Sequence, residues 1–254
     1  MRGIGDKPFI DCQDHMDIQT LKDINLEICL GIAKSDIKAG VYGPGVVESE
    51  RYGNFMLMKS KLARENTEEI GWNKMNHNQQ NTFAKLFFQL YNPSTTVYLR
   101  EPIKNSQLKA IDTFVAYRKK AFAEWFEWTD NVKHFPTLKP WLDNLIGTVF
   151  EEYGRIIFFL HEHDCNLPLH RDGFVQHDHN NEFVWINPTG IKKFYVYDEV
   201  KKERHDVNSP AIFFNDLDMH GGDTNECMTW SLRIDGVFTE EFRQRLGIAN
   251  LPHY

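Results

Sequence analysis

Histidine is the residue type spread most unevenly along this chain. Seven of its 11 histidines fall between positions 161 and 220: His161, His163, His170, His177, His179, His205 and His220. Imidazole is the commonest metal ligand and the side chain best suited to proton transfer near neutrality. Inside the cluster stands the pair His170-Arg171-Asp172. On an extended segment, side chains two apart lie on one side, where an imidazole and a carboxylate can share a metal ion. The pattern alone is a weak signal. With 11 His and 36 acidic residues in 254, chance supplies a match or two, and the chain has a second, His15-Met16-Asp17, which reads as structural.

Position supplies what the pattern lacks. His170-Arg171-Asp172 follows an apolar run (RIIFFLHEH) and a turn (DCNLP), which places it at the mouth of a strand. Fifty residues later the apolar run Ala211-Ile212-Phe213-Phe214 leads through Asn215-Asp216-Leu217-Asp218 to His220-Gly221-Gly222. The two glycines are expected to turn the backbone tightly beside a buried ligand. Thirteen residues beyond His220 stands Arg233, in the run Thr229-Trp230-Ser231-Leu232-Arg233-Ile234-Asp235. Alternation puts Thr229, Ser231, Arg233 and Asp235 on one face, and Trp230, Leu232 and Ile234 on the other. An inward guanidinium needs a carboxylate partner, because an unpaired buried charge is costly.

Two histidines and one carboxylate make the facial triad of non-haem Fe(II) oxygenases, which leaves coordination positions open. On His170-x-Asp172, His220 and Arg233 the chain resembles the Fe(II)/2-oxoglutarate-dependent oxygenase superfamily over about 155–237. Within it, the run His220…Asn225…Arg233-Ile234-Asp235 and the helix opening at Phe135-Pro136 are similar to the aspartyl/asparaginyl β-hydroxylase-like branch, with the prolyl-hydroxylase-like branch beside it. The resemblance implies Fe(II) held by His170, Asp172 and His220, with 2-oxoglutarate and O2 as co-substrates. Arg233 would fork onto the distal carboxylate of 2-oxoglutarate, assisted by Ser231. Trp185 and Asn187 would line the co-substrate cavity. The implied reaction is hydroxylation of an unactivated C–H, with release of succinate and CO2. Asp172 favours that outcome, since related halogenases carry a small residue there. The substrate stays open between a free amino acid, a peptidyl residue and another small metabolite. Two other readings stand beside it: a cupin-type metal enzyme that does not use 2-oxoglutarate, with Arg233 on a substrate acid, and a non-catalytic barrel that binds a protein partner.

The elements that must position these residues are β-rich. Short runs at Arg155–His163, Glu182–Asn187, Lys192–Tyr197, Ser209–Phe214 and Met228–Val237, without intervening helices, predict a sandwich or barrel. Asn187-Pro188-Thr189-Gly190 is a turn by composition. Before them, Ile24, Leu26, Ile28, Leu30 and Ile32 alternate like a strand, although Asp17–Lys34 also fits a helix. Asn54–Lys59 and Thr95–Leu99 read as strands, and Gln79–Leu90, Ser106–Trp128 and Thr137–Tyr153 as helices. The fold class expected is α+β: a double-stranded β-helix (jelly-roll, cupin-like) barrel buttressed by N-terminal helices. Residues 1–135 would form the support region and residues 136–254 the oxygenase core.

Composition sets the outer bounds. At 254 residues and 41% hydrophobic the chain can bury a core without staples. No apolar run approaches a membrane span. The N-terminal residues lack the apolar region of a cleaved signal, so a cytoplasmic location is expected. A net charge of -7 excludes general nucleic-acid binding by a basic face. Cys12, Cys29, Cys165 and Cys227 lie far apart and make no CxxC pair, which predicts reduced thiols. His177 and His179 sit in a polar loop-like stretch, and His161 and His163 alternate on the strand before the triad, so one of that pair faces inward.

Overall fold

In the computed structural model, Thr229–Phe238 is a strand buried at every position. A strand reaches that state only with a layer on each face and a neighbour on each edge. The structure describes residues 1–36, 38–40, 74–80, 94–103, 126–161, 167–171 and 182–251. Among these residues the fold is mixed α and β, dominated by two antiparallel sheets.

The strands are β1 (Phe9–Asp11), β2 (Lys38–Gly40), β3 (Ser94–Pro102), β4 (Phe126–Trp128), β5 (Phe150–His161), β6 (Leu167–His170), β7 (Phe183–Ile186), β8 (Phe194–Asp198), β9 (Glu203–Val207), β10 (Ala211–Phe214), β11 (Met219–Gly222) and β12 (Thr229–Phe238). The helices are α1 (Ile18–Asp23), α2 (Asn25–Lys34), α3 (Leu138–Asp143) and α4 (Glu240–Arg245). The larger sheet runs β1-β10-β7-β12-β5-β3-β2, with β4 on β3, and the smaller runs β6-β11-β8-β9. From β5 onward the chain keeps crossing between sheets: β5, β7, β10 and β12 belong to the larger, β6, β8, β9 and β11 to the smaller. Residues far apart in sequence are thereby brought onto facing walls.

The alternation read along β12 holds. Its Ser231 side chain meets Trp185 of β7 and His161 of β5. Trp230 faces the other way, donating its indole N–H to Asn25 Oδ1 of α2 at 2.9 Å and standing edge-on to Phe158. Phe158 stacks on Phe135, and α2 closes over that ring at Gly31, where a Cβ would lie 2.6 Å from Phe135 Cε1. Helix and large sheet thus share one apolar layer, and the inward face of β12 is left for polar groups.

Several elements differ from expectation for identifiable reasons. The run from Ile24 to Ile32 is helical: Ile28 and Ile32 are buried one turn apart, whereas Leu26 and Leu30 are exposed. A period near four, not two, sorts these residues. The helix expected over Thr137–Tyr153 stops at Asp143, and β5 already begins at Phe150. Gly147 adopts φ +79° and donates its N–H to Phe150 O at 2.8 Å, a reversal that no helix can contain. The last residues of the helix expected over Ser106–Trp128 are instead strand β4, and positions 104–125 lie outside the described residues. So do Asn54–Lys59 and all but the first two residues of Gln79–Leu90. The strand at Thr95–Leu99 is present within β3. Among the described residues no helix is long and apolar enough to cross a membrane.

Candidate metal centre and its polar interior

His170 closes β6 and His220 lies in β11, and the two are direct cross-strand partners. Their ring centres are 4.3 Å apart and tilted by 57°. Both residues are buried, and the Phe194 and Phe214 rings crowd His220 at 5.7 and 4.9 Å. His220 Nδ1 stands 2.9 Å from the backbone oxygen of Asp218. A carbonyl oxygen can only accept, so Nδ1 is the donor in this contact and Nε2 is the nitrogen that would ligate a metal. That division of labour is what metal-bound imidazoles use.

The spacing of the pair suits a shared ion. With metal–nitrogen bonds of about 2.1 Å and roughly a right angle between them, two imidazole centres lie ~4.5 Å apart. Asp172 lies outside the described residues, as do His163, His177 and His179. Among the described residues no group of three or more His, Cys, Asp or Glu could hold a metal ion. The two histidines are therefore the described part of the expected donor set. His205, on β9, is removed from them by the intervening strand β8.

Gly221 and Gly222 are strand residues of β11, not a turn. Their missing side chains make room for other groups. A Cβ on Gly221 would lie 2.8 Å from the Tyr195 hydroxyl, and one on Gly222 would lie 2.6 Å from Lys192 Cε. Lys192 is thereby laid across β11 two residues from His220, with 2% of its surface exposed. Its ammonium donates to Asp223 O at 2.8 Å, and Asn187 fixes its backbone by donating to Lys192 O at 2.9 Å. Asn187 was expected to line the cavity; it supports the lysine.

Beyond Lys192 lies a compact polar set. Trp185 donates its indole N–H to Ser231 Oγ at 3.2 Å, and His161 Nε2 lies 2.9 Å from the same oxygen. Burial, reinforced by the charge of Lys192, depresses the His161 imidazole to about 3, so it is neutral near pH 7. The Trp185 ring stacks on Phe194 at 4.5 Å, and Phe194 in turn contacts His220. Ser231 and Trp185 thus sit together, joined to the histidine pair through one phenyl ring. Neither His161 nor Lys192 was singled out for this interior from sequence. Alternation put one of His161 and His163 inward, but Lys192-Lys193 carried no signal of burial.

Arg233 is buried on the expected face, but its partners are residues of the chain itself. Nε donates to Asp235 Oδ1 at 2.7 Å and an Nη donates to Asp216 Oδ2 at 2.8 Å, while the guanidinium carbon lies 3.8 Å from the Phe183 ring centre. Asp235 also receives Arg155 Nε at 2.9 Å. Burial would raise the Asp235 carboxyl, but the charges of Arg233 and Arg155 with their hydrogen bonds outweigh it and hold it below the ordinary range. The carboxylate partner anticipated for Arg233 is met internally, by Asp235 and Asp216.

No family model matches the chain. No curated protein matches it either. Among solved structures it is similar to a prolyl-4-hydroxylase from Pseudomonas putida, at 12% identity and a TM-score of 0.29, over 87% of this chain and 97% of that one. It is also similar to a prolyl hydroxylase from Trichoplax adhaerens in complex with a hypoxia-inducible-factor peptide fragment, at 9% identity and a TM-score of 0.33, over 90% and 96%. An RmlC-like cupin from Desulfovibrio desulfuricans is similar at 18% identity and a TM-score of 0.24, over 32% and 70%. Scores this low do not define a common fold.

Proposed function

We propose that this chain is a non-haem Fe(II)- and 2-oxoglutarate-dependent oxygenase that hydroxylates an amino acid, a peptidyl residue or a small metabolite. The observation that carries the reading is the buried cross-strand pair His170–His220, with its spacing and with the His220 proton held on Nδ1. In this reading the two sheets form a double-stranded β-helix, residues 1–135 brace it, and His170, His220 and Asp172 hold the iron. The iron, when bound, supplies oxygen activation coupled to decarboxylation of the co-substrate.

The chain's own residues then divide the remaining work. His220 and His170 present their ring nitrogens from adjacent strands, and the Phe194 and Phe214 rings give His220 an apolar surround. Lys192 places a positive charge in the interior two residues along β11 from His220, where a dicarboxylate's distal end would be met. Ser231 and Trp185 offer polar contacts beside it. His161, neutral, adds no competing charge. Arg233, on the same face of β12 as Ser231, is tied to Asp216 and Asp235.

The test is spectroscopic. Anaerobic addition of Fe(II) and 2-oxoglutarate should raise a weak visible charge-transfer band in the wild type, absent from His170→Ala and His220→Ala. No band in the wild type, or an undiminished band in either variant, refutes the assignment.

A further inference from the structure

The loop between β10 and β11 carries three acceptors that reach in different directions. Asp216 takes Arg233. The backbone oxygen of Asp218 takes His220 Nδ1. The Asp218 carboxylate, buried, turns the other way and receives two backbone amides from the opposite end of the chain: Arg2 N–H on Oδ1 at 2.5 Å and Gly3 N–H on Oδ2 at 2.7 Å. Asn215 adds a third tie, donating Nδ2 to Gly3 O at 3.3 Å while its Oδ1 accepts Leu217 N–H at 3.0 Å. The loop has a tight turn of its own, Asp218 N–H to Asn215 O at 2.9 Å, and among the described residues no sheet partner.

The segment that grips it is built for close approach. Ile4 and Lys7 exchange backbone hydrogen bonds of 2.9 and 3.2 Å, closing a small loop. Gly3 enters that loop at φ +68°, and a Cβ there would stand 2.6 Å from Lys7 O. Any side chain at position 3 is therefore both strained and obstructed. Downstream, β1 pairs with β10 in register Phe9↔Phe214, so the gripping segment is anchored to the very strand that feeds the loop.

We propose that the segment Arg2–Gly3, by holding both oxygens of Asp218, is a positioning clamp for His220: it fixes the Asp218 carbonyl that keeps the imidazole proton on Nδ1 and aims Nε2 at the space shared with His170. Asp218 is here a positioning residue, acting through its backbone oxygen and never touching the ligand. The functional consequence rests on the metal-centre reading given above. The clamp itself does not.

The experiment uses the full chain and Co(II) as the probe, with Asp218→Asn and Gly3→Ala as variants. Asn presents an NH2 to one of two amides, while Ala at position 3 disturbs the gripping segment without touching the carboxylate. Both variants should bind Co(II) about 10–100-fold more weakly, the usual cost of losing an outer partner of a ligating histidine, and should shift its visible absorption. In the metal-free protein, nitrogen-15 NMR of His220 should report the Nδ1–H tautomer in wild type and a mixture in both variants. Thr239→Ala, which removes the cap that accepts Phe242 N–H at the distant helix α4, should lower the Tm and change neither readout. A folded Asp218→Asn protein with wild-type tautomer and wild-type Co(II) affinity overturns the proposal. If wild type binds no Co(II), the metal-centre reading fails, and the tautomer measurement still decides the clamp. Should Asp218→Asn not fold, Gly3→Ala decides by the same two readouts.

Discussion

Replacing Arg233 separates a ligand-binding arginine from one that neutralises the protein's own acids. Its side chain is buried against Asp235 and Asp216, which are buried themselves. Arg233→Met keeps most of the aliphatic volume and removes the charge. Asp235 retains Arg155, whereas Asp216 loses the guanidinium. Breaking a buried pair from one side costs about 3–5 kcal/mol, because the remaining charge is left desolvated. At about 2–4 °C per kcal/mol for a chain of this size, the Tm should fall by roughly 6–20 °C. Neutralising the acid in Arg233→Met/Asp216→Asn should recover a good part of the loss, a coupling of about 0.5–3 kcal/mol between neighbours. Urea unfolding of wild type, both single variants and the double variant completes the cycle. Fluorescence titration of 2-oxoglutarate, measured where the single variant is folded, should give a dissociation constant close to wild type. A stability change below about 1 kcal/mol together with loss of co-substrate binding would return Arg233 to the ligand and refute the reasoning.

Two further outcomes follow from the interior. Lys192→Met should weaken 2-oxoglutarate binding by about 10–150-fold, the worth of a charged hydrogen bond of about 1.5–3 kcal/mol, and Gly222→Ala should weaken it too by pushing Lys192 aside. Unchanged affinity in a folded Lys192→Met protein would remove the lysine from the site. His161 sets an acid limb on stability: its imidazole titrates near 6.5 when unfolded and at about 3 when folded. Below about pH 6.5 unfolding takes up a proton, so stability is complete above that value and falls as the pH drops toward 3, by a few kcal/mol at most given the ring's partial exposure. His161→Gln should flatten the slope of unfolding free energy between pH 6.5 and 4.5. An identical slope in the variant would show that the ring is not held neutral.

Much of the architecture was legible along the chain because it depends on local periodicity. The alternation of Thr229 to Asp235 is a property of any extended strand, so the inward face of β12 could be read from the residues alone. The same held for the strands at Phe183–Ile186 and Ala211–Phe214, whose apolar runs are too short for helices. The strands β9, with the sequence ERHDV, and β11, with MHGG, escaped because one has no apolar alternation and the other is half glycine. Both are strands because β8 lies between them with unsatisfied backbone on each side, a condition that exists only in the assembled sheet.

Residue types and spacing by themselves determined which face of β12 is polar, and that Arg233 points inward with an acid as its necessary partner. Tertiary structure alone decided which acid Arg233 meets and which lysine is buried. Asp216 reaches Arg233 from a loop 17 residues away, and Lys192, just before β8, is buried because Gly222 on β11 has no Cβ to exclude it. A buried charge is governed by what surrounds it in space. Sequence spacing states what a side chain requires, and only the packing of distant strands states what satisfies it.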